Sequence, residues 1–231
     1  MSRYLALMLC LLACVAAFAE DARVTGQVII QRNGKPSPDA SAVVVWLTPT
    51  KGEAPRPTTD KVYRLTQKNK HFEPHLLVVP INSAVLFPNQ DPFFHNVFSV
   101  YEGTRFDLGL YESGTSREVR FTRPGPSYIF CNIHPEMSAV IMVMTTPYYA
   151  TSDTEGNYAI ENVPPGEYEL SVWYESAQPE QLKQLTRRVT VTAPSTHLQA
   201  MTVLAASSLA INHKNKYGQD YEGKAPYPLP Q

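Results

Sequence analysis

Prolines and short β-branched runs alternate along most of the chain, and this pattern restricts what the chain can fold into. The 231 residues include 20 prolines, and proline interrupts both α-helices and central sheet strands. Between the prolines lie short runs typical of strands, such as 23–30 and 138–144. We find no long stretch with helical periodicity and convincing caps. The sequence therefore predicts an all-β protein built from short strands.

Residues 1–19 have the pattern of a secretory signal peptide. Arg3 gives a positive start, 5–13 is apolar, and 17–19 reads Ala-Phe-Ala, with small residues at the cleavage-specifying positions. An alternative takes 11–14 as a lipobox with Cys14 as a lipidated terminus, but Leu12 is a poor residue for that motif. We expect a periplasmic product without a membrane span, with the lipid anchor at Cys14 as the less favoured alternative.

Cleavage of this signal would leave Cys131 as the single thiol, because Cys10 and Cys14 would be removed. An unpaired cysteine in an oxidising compartment calls for an explanation. One explanation is metal ligation, and the other is a buried, unreactive thiol.

Charge and length limit the partners and the number of domains. The formal net charge is −1, so no basic excess favours nucleic acid as a partner. A mature chain of about 210 residues can form one large domain or two ordinary ones.

Four side chains form a candidate metal-binding set. Cys131, His134 and Met137 lie within seven residues, and His95 precedes them. Two imidazoles, one thiolate and a weak thioether are the ligands of a trigonal copper site. Met137 by itself would more often fill a core, but its place in the cluster favours an axial ligand. His71 and His75 fall outside the pattern and are predicted to be surface or hydrogen-bonding residues.

The segment from about residue 61 to 146 resembles a cupredoxin. The spacing Cys131-x2-His134-x2-Met137 is similar to that of amicyanin. The resemblance covers roughly 85 residues and is carried by 72–74, 87–91, 93–97, Phe121, 124–126 and the 131–137 run.

This resemblance implies a Greek-key β-sandwich holding one type 1 copper ion through His95, Cys131, His134 and Met137. It also implies that Asn96 ties the two ligand loops together. Backbone amides near Asn132 and Met137 are expected to donate to the sulfur.

The remaining strands resemble a carboxypeptidase regulatory-like (transthyretin-like) β-sandwich. The matching stretches are 24–28, 34–36, 43–45 and 163–173. We therefore predict two Greek-key sandwiches, with the cupredoxin inserted into the other. The predicted order is signal peptide 1–19, first part of the outer sandwich 20–57, cupredoxin domain 58–146, second part 147–205 and extended tail 206–231. Bacterial proteins with this layout are sometimes labelled methylamine utilisation proteins.

The predicted function is single-electron transfer between redox partners. A c-type cytochrome or a periplasmic oxidoreductase would dock near Phe93 and Pro135, although phenylalanines here could instead fill the core. The alternatives are a copper carrier or sensor, and a non-redox module that binds glycan or protein. Neither His-Glu-x-x-His nor Gly-x-Ser-x-Gly occurs in the sequence, and we predict no enzymatic activity. His213 in the tail is expected to be a solvated surface histidine.

Overall fold

A computed structural model describes residues 20–100, 102–206 and 213–221. The predicted signal peptide, with Cys10 and Cys14, lies outside the described residues. Within the described ranges, no helix combines the length and the apolarity that a membrane span needs. The elements in chain order are β1 (Ala22–Arg32), β2 (Lys35–Pro36), β3 (Val44–Pro49), β4 (Tyr63–Arg64), β5 (Thr66–Lys68), β6 (His71–Glu73), β7 (Leu76–Pro80), β8 (Ala84–Pro88), β9 (His95–Ser99), β10 (Phe106–Tyr111), β11 (Ser116–Arg120), β12 (Gly125–Cys131), β13 (Ser138–Met144), β14 (Tyr149–Thr151), β15 (Asn157–Val163), β16 (Gly166–Trp173), α1 (Pro179–Leu185), β17 (Arg187–Val191), β18 (Ser195–His197) and β19 (Met201–Ala205).

The all-β prediction is confirmed, since strands dominate and α1 is the one helix of the described residues. The sequence reading did not identify this helix, which spans seven residues. Its cues are local: Pro179 opens it and Glu180 lies in its first turn.

The outer sandwich is built from both ends of the described chain. Strand β1 pairs antiparallel with β15 and β2, and parallel with β18 and β19. A second sheet has the order β14-β3-β16-β17. Alternate residues of β1, including Val24, Val28 and Ile30, point into the core, where Leu47 of β3 and Leu170 of β16 are also buried.

The inner sandwich contains the strands between β3 and β14. One sheet has the order β10-β9-β12-β13-β7, and the other has the order β11-β8-β4. Between them, Phe87, Phe106 and Phe121 lie with ring centroids 5.6–6.5 Å apart. Aromatic rings at these separations bury a large apolar area and interlock. Assignment of the outer sandwich to the carboxypeptidase regulatory-like family stays a prediction.

Strand β13 joins the two sandwiches because both of its faces are buried. Ile141 and Val143 belong to the inner core. Met142 and Met144 point the other way and pack with Val44 of β3 in a separate cluster. This cluster also includes the partly buried residues Trp46, Leu76, Val78, Tyr149 and Trp173. The sheet that carries the candidate metal ligands therefore rests on the outer sandwich.

Candidate metal centre

Strand pairing brings the predicted ligands together from two parts of the sequence. His95 is the first residue of β9, and Cys131 is the last residue of β12. The two strands pair antiparallel, with Cys131 opposite Val97. Because side chains alternate along a strand, His95 shares a face with Val97 and lies beside Cys131. His134 follows in the loop that leads to β13.

Three ligand atoms form a compact triangle. Cys131 Sγ lies 3.6 Å from the Nδ1 atoms of both His95 and His134, and the two Nδ1 atoms are 3.1 Å apart. Metal–nitrogen bonds of about 2.0 Å and a metal–sulfur bond of about 2.3 Å in a trigonal plane separate ligand atoms by roughly 3.5–3.7 Å. The triangle therefore fits a metal ion with small adjustments. His95 and Cys131 are fully buried, and His134 is half-buried.

Asp91 orients the first imidazole. His95 Nε2 donates to Asp91 Oδ2 at 2.9 Å, so Nδ1 can present its lone pair to a metal. The backbone N–H groups of Asn69 and Lys70 also donate to the Asp91 carboxylate, at 2.6 and 2.9 Å. Burial by itself would raise the pKa of Asp91, but these hydrogen bonds and the His95 ring outweigh it and hold the pKa below its usual value.

Opposing effects act on the pKa of the Cys131 thiol. Burial raises its pKa, while hydrogen bonds from the backbone N–H groups of Asn96, Ile133 and His134 lower it. The net pKa is raised, so the thiol is protonated in the absence of a metal. Binding of a soft metal ion would release this proton.

Of the N–H groups expected on the sulfur, that of Ile133, next to Asn132, donates to it, whereas those of Asn132 and Met137 have other acceptors. Asn132 donates its backbone N–H to the Asn96 carbonyl at 3.0 Å, and Met137 donates to the His134 carbonyl at 3.0 Å. The Asn132 bond links the two ligand loops through the Asn96 backbone. The Asn96 side chain instead donates from Nδ2 to Asp107 Oδ1 at 2.7 Å.

Met137, at the end of the ligand loop, bonds back to Cys131 at its start. Its carbonyl accepts the Cys131 N–H at 3.2 Å, and its fully buried side chain belongs to the same core cluster as Cys131. Its role as axial ligand stays a prediction.

Phe93 packs directly on the imidazoles. Its ring centroid is 5.3 Å from that of His95 and 5.4 Å from that of His134, and the Lys70 ammonium lies 5.7 Å from it. Phe94 and Ile133 next to the ligands are 54% and 44% exposed. An apolar rim therefore borders His134, and its use as a docking surface, with Phe93 and Pro135, stays a prediction.

The prediction for His213 is wrong. Its ring is half-buried and stacks on Phe130 with centroids 4.0 Å apart. Its Nε2 donates to the Pro135 carbonyl at 2.8 Å. The physical reason is that residues 213–221 lie against the ligand loop, a long-range contact that the polar, proline-rich tail gives no local pattern to reveal.

Asp91 was also missed as a site residue, because a carboxylate in the Asn-Gln-Asp-Pro run of 89–92 has the ordinary pattern of a turn. His75 is a hydrogen-bonding histidine, as predicted. Its Nδ1 lies 3.1 Å from the Ser138 carbonyl and its Nε2 lies 2.6 Å from Glu175.

Among the described residues, His95, Cys131 and His134 form the one group of at least three histidine, cysteine or acidic side chains placed to hold a metal. No family model matches the chain, and no curated protein matches it.

Several solved structures match part of the chain. A purple cupredoxin from Nitrosopumilus maritimus is 20% identical over 36% of this chain and 99% of its own, with a TM-score of 0.33. A mutant of amicyanin in its reduced Cu(I) form is 18% identical over 43% of this chain and 98% of its own, with a TM-score of 0.35. A copper-containing nitrite reductase from Thermus scotoductus SA-01 is 22% identical over 50% of this chain and 28% of its own, with a TM-score of 0.34.

Proposed function

We propose that this protein binds one type 1 copper ion through His95, Cys131 and His134, with Met137 as a weak axial ligand, and carries single electrons. The observation that supports this most strongly is the buried triangle of two Nδ1 atoms and one Sγ atom with 3.1 and 3.6 Å edges. Copper supplies the one-electron change between Cu(I) and Cu(II). The protein supplies the ligands, their orientation and the exclusion of water.

Burial of the ligands favours a carrier over a copper-handling protein. A protein that delivers copper has to expose its ligands to the receiver, whereas His95 and Cys131 are both 0% exposed. Asp91 fixes the His95 ring and backbone amides surround the Cys131 sulfur. Ligands held in this way move little when the charge of the metal changes, and this favours fast electron transfer.

We further propose that electrons pass at the half-buried His134. Phe93 packs on its ring, and the exposed Ile133 lies beside it in the loop. A small apolar rim suits the brief encounters of redox proteins. The partner proposed is a c-type cytochrome or a periplasmic oxidoreductase, in line with the signal sequence predicted at 1–19.

The copper site is tested by loading the purified protein with Cu(II) and recording its visible spectrum. The expected result is the intense thiolate-to-Cu(II) absorption of a blue copper site, which Cys131→Ser abolishes. His197→Asn, at an exposed histidine of β18 in the outer sandwich, is the control and keeps the full absorption. Colourless protein at full Cu(II) occupancy, or unchanged colour in Cys131→Ser, contradicts the proposal.

The carrier function is tested by mixing the reduced, copper-loaded protein with an oxidised c-type cytochrome in a stopped-flow instrument. We expect electron transfer to be complete well before a chelator removes measurable copper. Slow electron transfer combined with ready copper release would assign the protein to copper handling instead.

A further inference from the structure

Residues 213–221 contact the ligand loop at several points. Tyr221 donates from its hydroxyl to the Cys131 carbonyl at 2.8 Å. Lys216 donates its backbone N–H to Asn132 Oδ1 at 3.0 Å. His213 Nε2 donates to the Pro135 carbonyl at 2.8 Å. The segment therefore contacts Cys131, a proposed copper ligand, and also Asn132 and Pro135 of the ligand loop.

The same segment covers an aromatic ring, that of Phe130, on the outer face of the ligand-bearing sheet. Phe98 and Phe130 are paired across β9 and β12, and their centroids are 5.9 Å apart. They point away from Val97 and Cys131, which face the inner core, yet both phenylalanines are fully buried. The His213 ring stacked on Phe130 contributes to this burial.

A charged contact connects the segment to the other ligand loop. Lys216 Nζ lies 2.7 Å from Asp107 Oδ2, and Asp107 Oδ1 accepts from the Asn96 side chain at 2.7 Å. Asn96 follows His95 in β9, and its backbone N–H is one of the donors to the Cys131 sulfur. The Lys216 side chain is 20% exposed and the Asp107 side chain 41% exposed, so solvent partly screens this contact.

We propose that residues 213–221 act as an intramolecular clamp on the copper loop, with His213, Lys216 and Tyr221 as positioning residues that fix the Cys131 thiolate. For its effect on copper, this inference rests on the proposed function. The clamp contacts both ligand loops. It bonds directly to Cys131, Asn132 and Pro135, and through Asp107 it reaches the Asn96 side chain. Partners of this kind, one step removed from the metal, commonly change metal affinity ten- to a hundredfold.

The clamp is tested first without copper, by amide hydrogen exchange of residues 131–137 in the full-length apoprotein. Tyr221→Phe removes the bond to the Cys131 carbonyl and Lys216→Met removes the contact with Asp107, while both retain most of the side-chain volume. Loss of one hydrogen bond is expected to accelerate exchange roughly fivefold. Gln219→Ala is the matched control, because the Gln219 side chain is exposed and its backbone forms the bonds to Asn215.

The second measurement uses copper-loaded protein and a Cu(II) chelator. We expect Tyr221→Phe and Lys216→Met to release copper at least about tenfold faster than Gln219→Ala and to shift the visible absorption maximum. Lys216→Arg, which retains the charge, restores slow release. Exchange and release rates equal to those of Gln219→Ala would overturn the clamp. If wild-type protein gives no blue absorption, the proposed function fails, and the apoprotein exchange rates still decide whether the clamp exists.

Discussion

At the scale of single residues, Asp91 shows how a carboxylate outside the candidate ligand set can orient one of its imidazoles. Its side chain is 5% exposed and lies against the fully buried His95. Both of its oxygens accept hydrogen bonds, from two backbone N–H groups and one imidazole. Because the imidazole donates from Nε2, its Nδ1 is directed to Cys131 and His134. The carboxylate thus determines which nitrogen can bind a metal.

Asp91→Asn is expected to lower the affinity for Cu(II) roughly ten- to a hundredfold. An amide has one acceptor oxygen where the carboxylate has two, so its NH₂ group would face an N–H donor of Asn69, Lys70 or His95. Competition with a chelator of known affinity measures the change. Asp60→Asn, at an exposed carboxylate that is not part of the triangle, is the control. Equal affinities for the two variants would show that Asp91 does not orient the ligand.

At the scale of elements, strand β13 carries two interfaces at once. Its inward residues Ile141 and Val143 complete the inner core, while Met142 and Met144 pack against the outer sandwich. A run with apolar residues on both faces is typical of a strand covered on both sides. The strand thus joins the sheet that contains Cys131 to the outer sandwich.

Met142→Ala is expected to lower the free energy of unfolding by about 2–4 kcal/mol, because it removes a buried side chain and leaves a cavity between the sandwiches. Leu110→Ala is the control, since Leu110 is 60% exposed, and it is expected to change stability by less than about 0.5 kcal/mol. Urea denaturation followed by fluorescence measures both. The position of the visible copper band should not change in Met142→Ala, because Met142 faces away from the triangle. If both variants change the free energy of unfolding by a similarly small amount, the Met142 side of β13 does not contribute to packing between the sandwiches.

Local patterns predicted many of the strands, and ligand chemistry predicted the triangle, but the contacts of the tail escaped prediction. Run 138–144 coincides with β13, and run 23–30 lies within β1, because alternation and β-branching are local properties. The triangle of His95, Cys131 and His134 was predicted from ligand chemistry and order. The bond from Tyr221 to the Cys131 carbonyl spans 90 positions, and no local pattern encodes such a contact.

At the scale of the whole molecule, the two sandwiches meet in an apolar cluster with a polar contact near it. Val44, Met142 and Met144 form the buried part of the cluster. His75, just before β7, lies 2.6 Å from Glu175, just after β16. His75 also bonds to the Ser138 carbonyl at the start of β13. The ionisable pair therefore bridges the sandwiches close to the strand that follows the ligand loop.

This contact should make the stability of the molecule depend on pH. The hydrogen bond to Glu175 is the largest effect on His75 and raises its pKa, against a smaller opposing effect of burial. A histidine whose pKa is raised on folding stabilises the fold below its unfolded pKa of about 6.5. That stabilisation is lost as the pH rises through the folded pKa. Since the His75 side chain is 53% exposed, its contribution should be small, about 0.5 kcal/mol.

Glu175→Gln is accordingly expected to lower the thermal midpoint of the apoprotein by roughly 1–2 °C at pH 5.5 and by much less at pH 8.5. Glu169→Gln, at an exposed position of the same strand region, is the control and should show no such pH dependence. Every other side chain is the same in wild type and variant, so the difference between the two proteins isolates the His75–Glu175 pair. A difference that grows towards pH 8.5 would mean that the pair does not join the sandwiches through protonated His75.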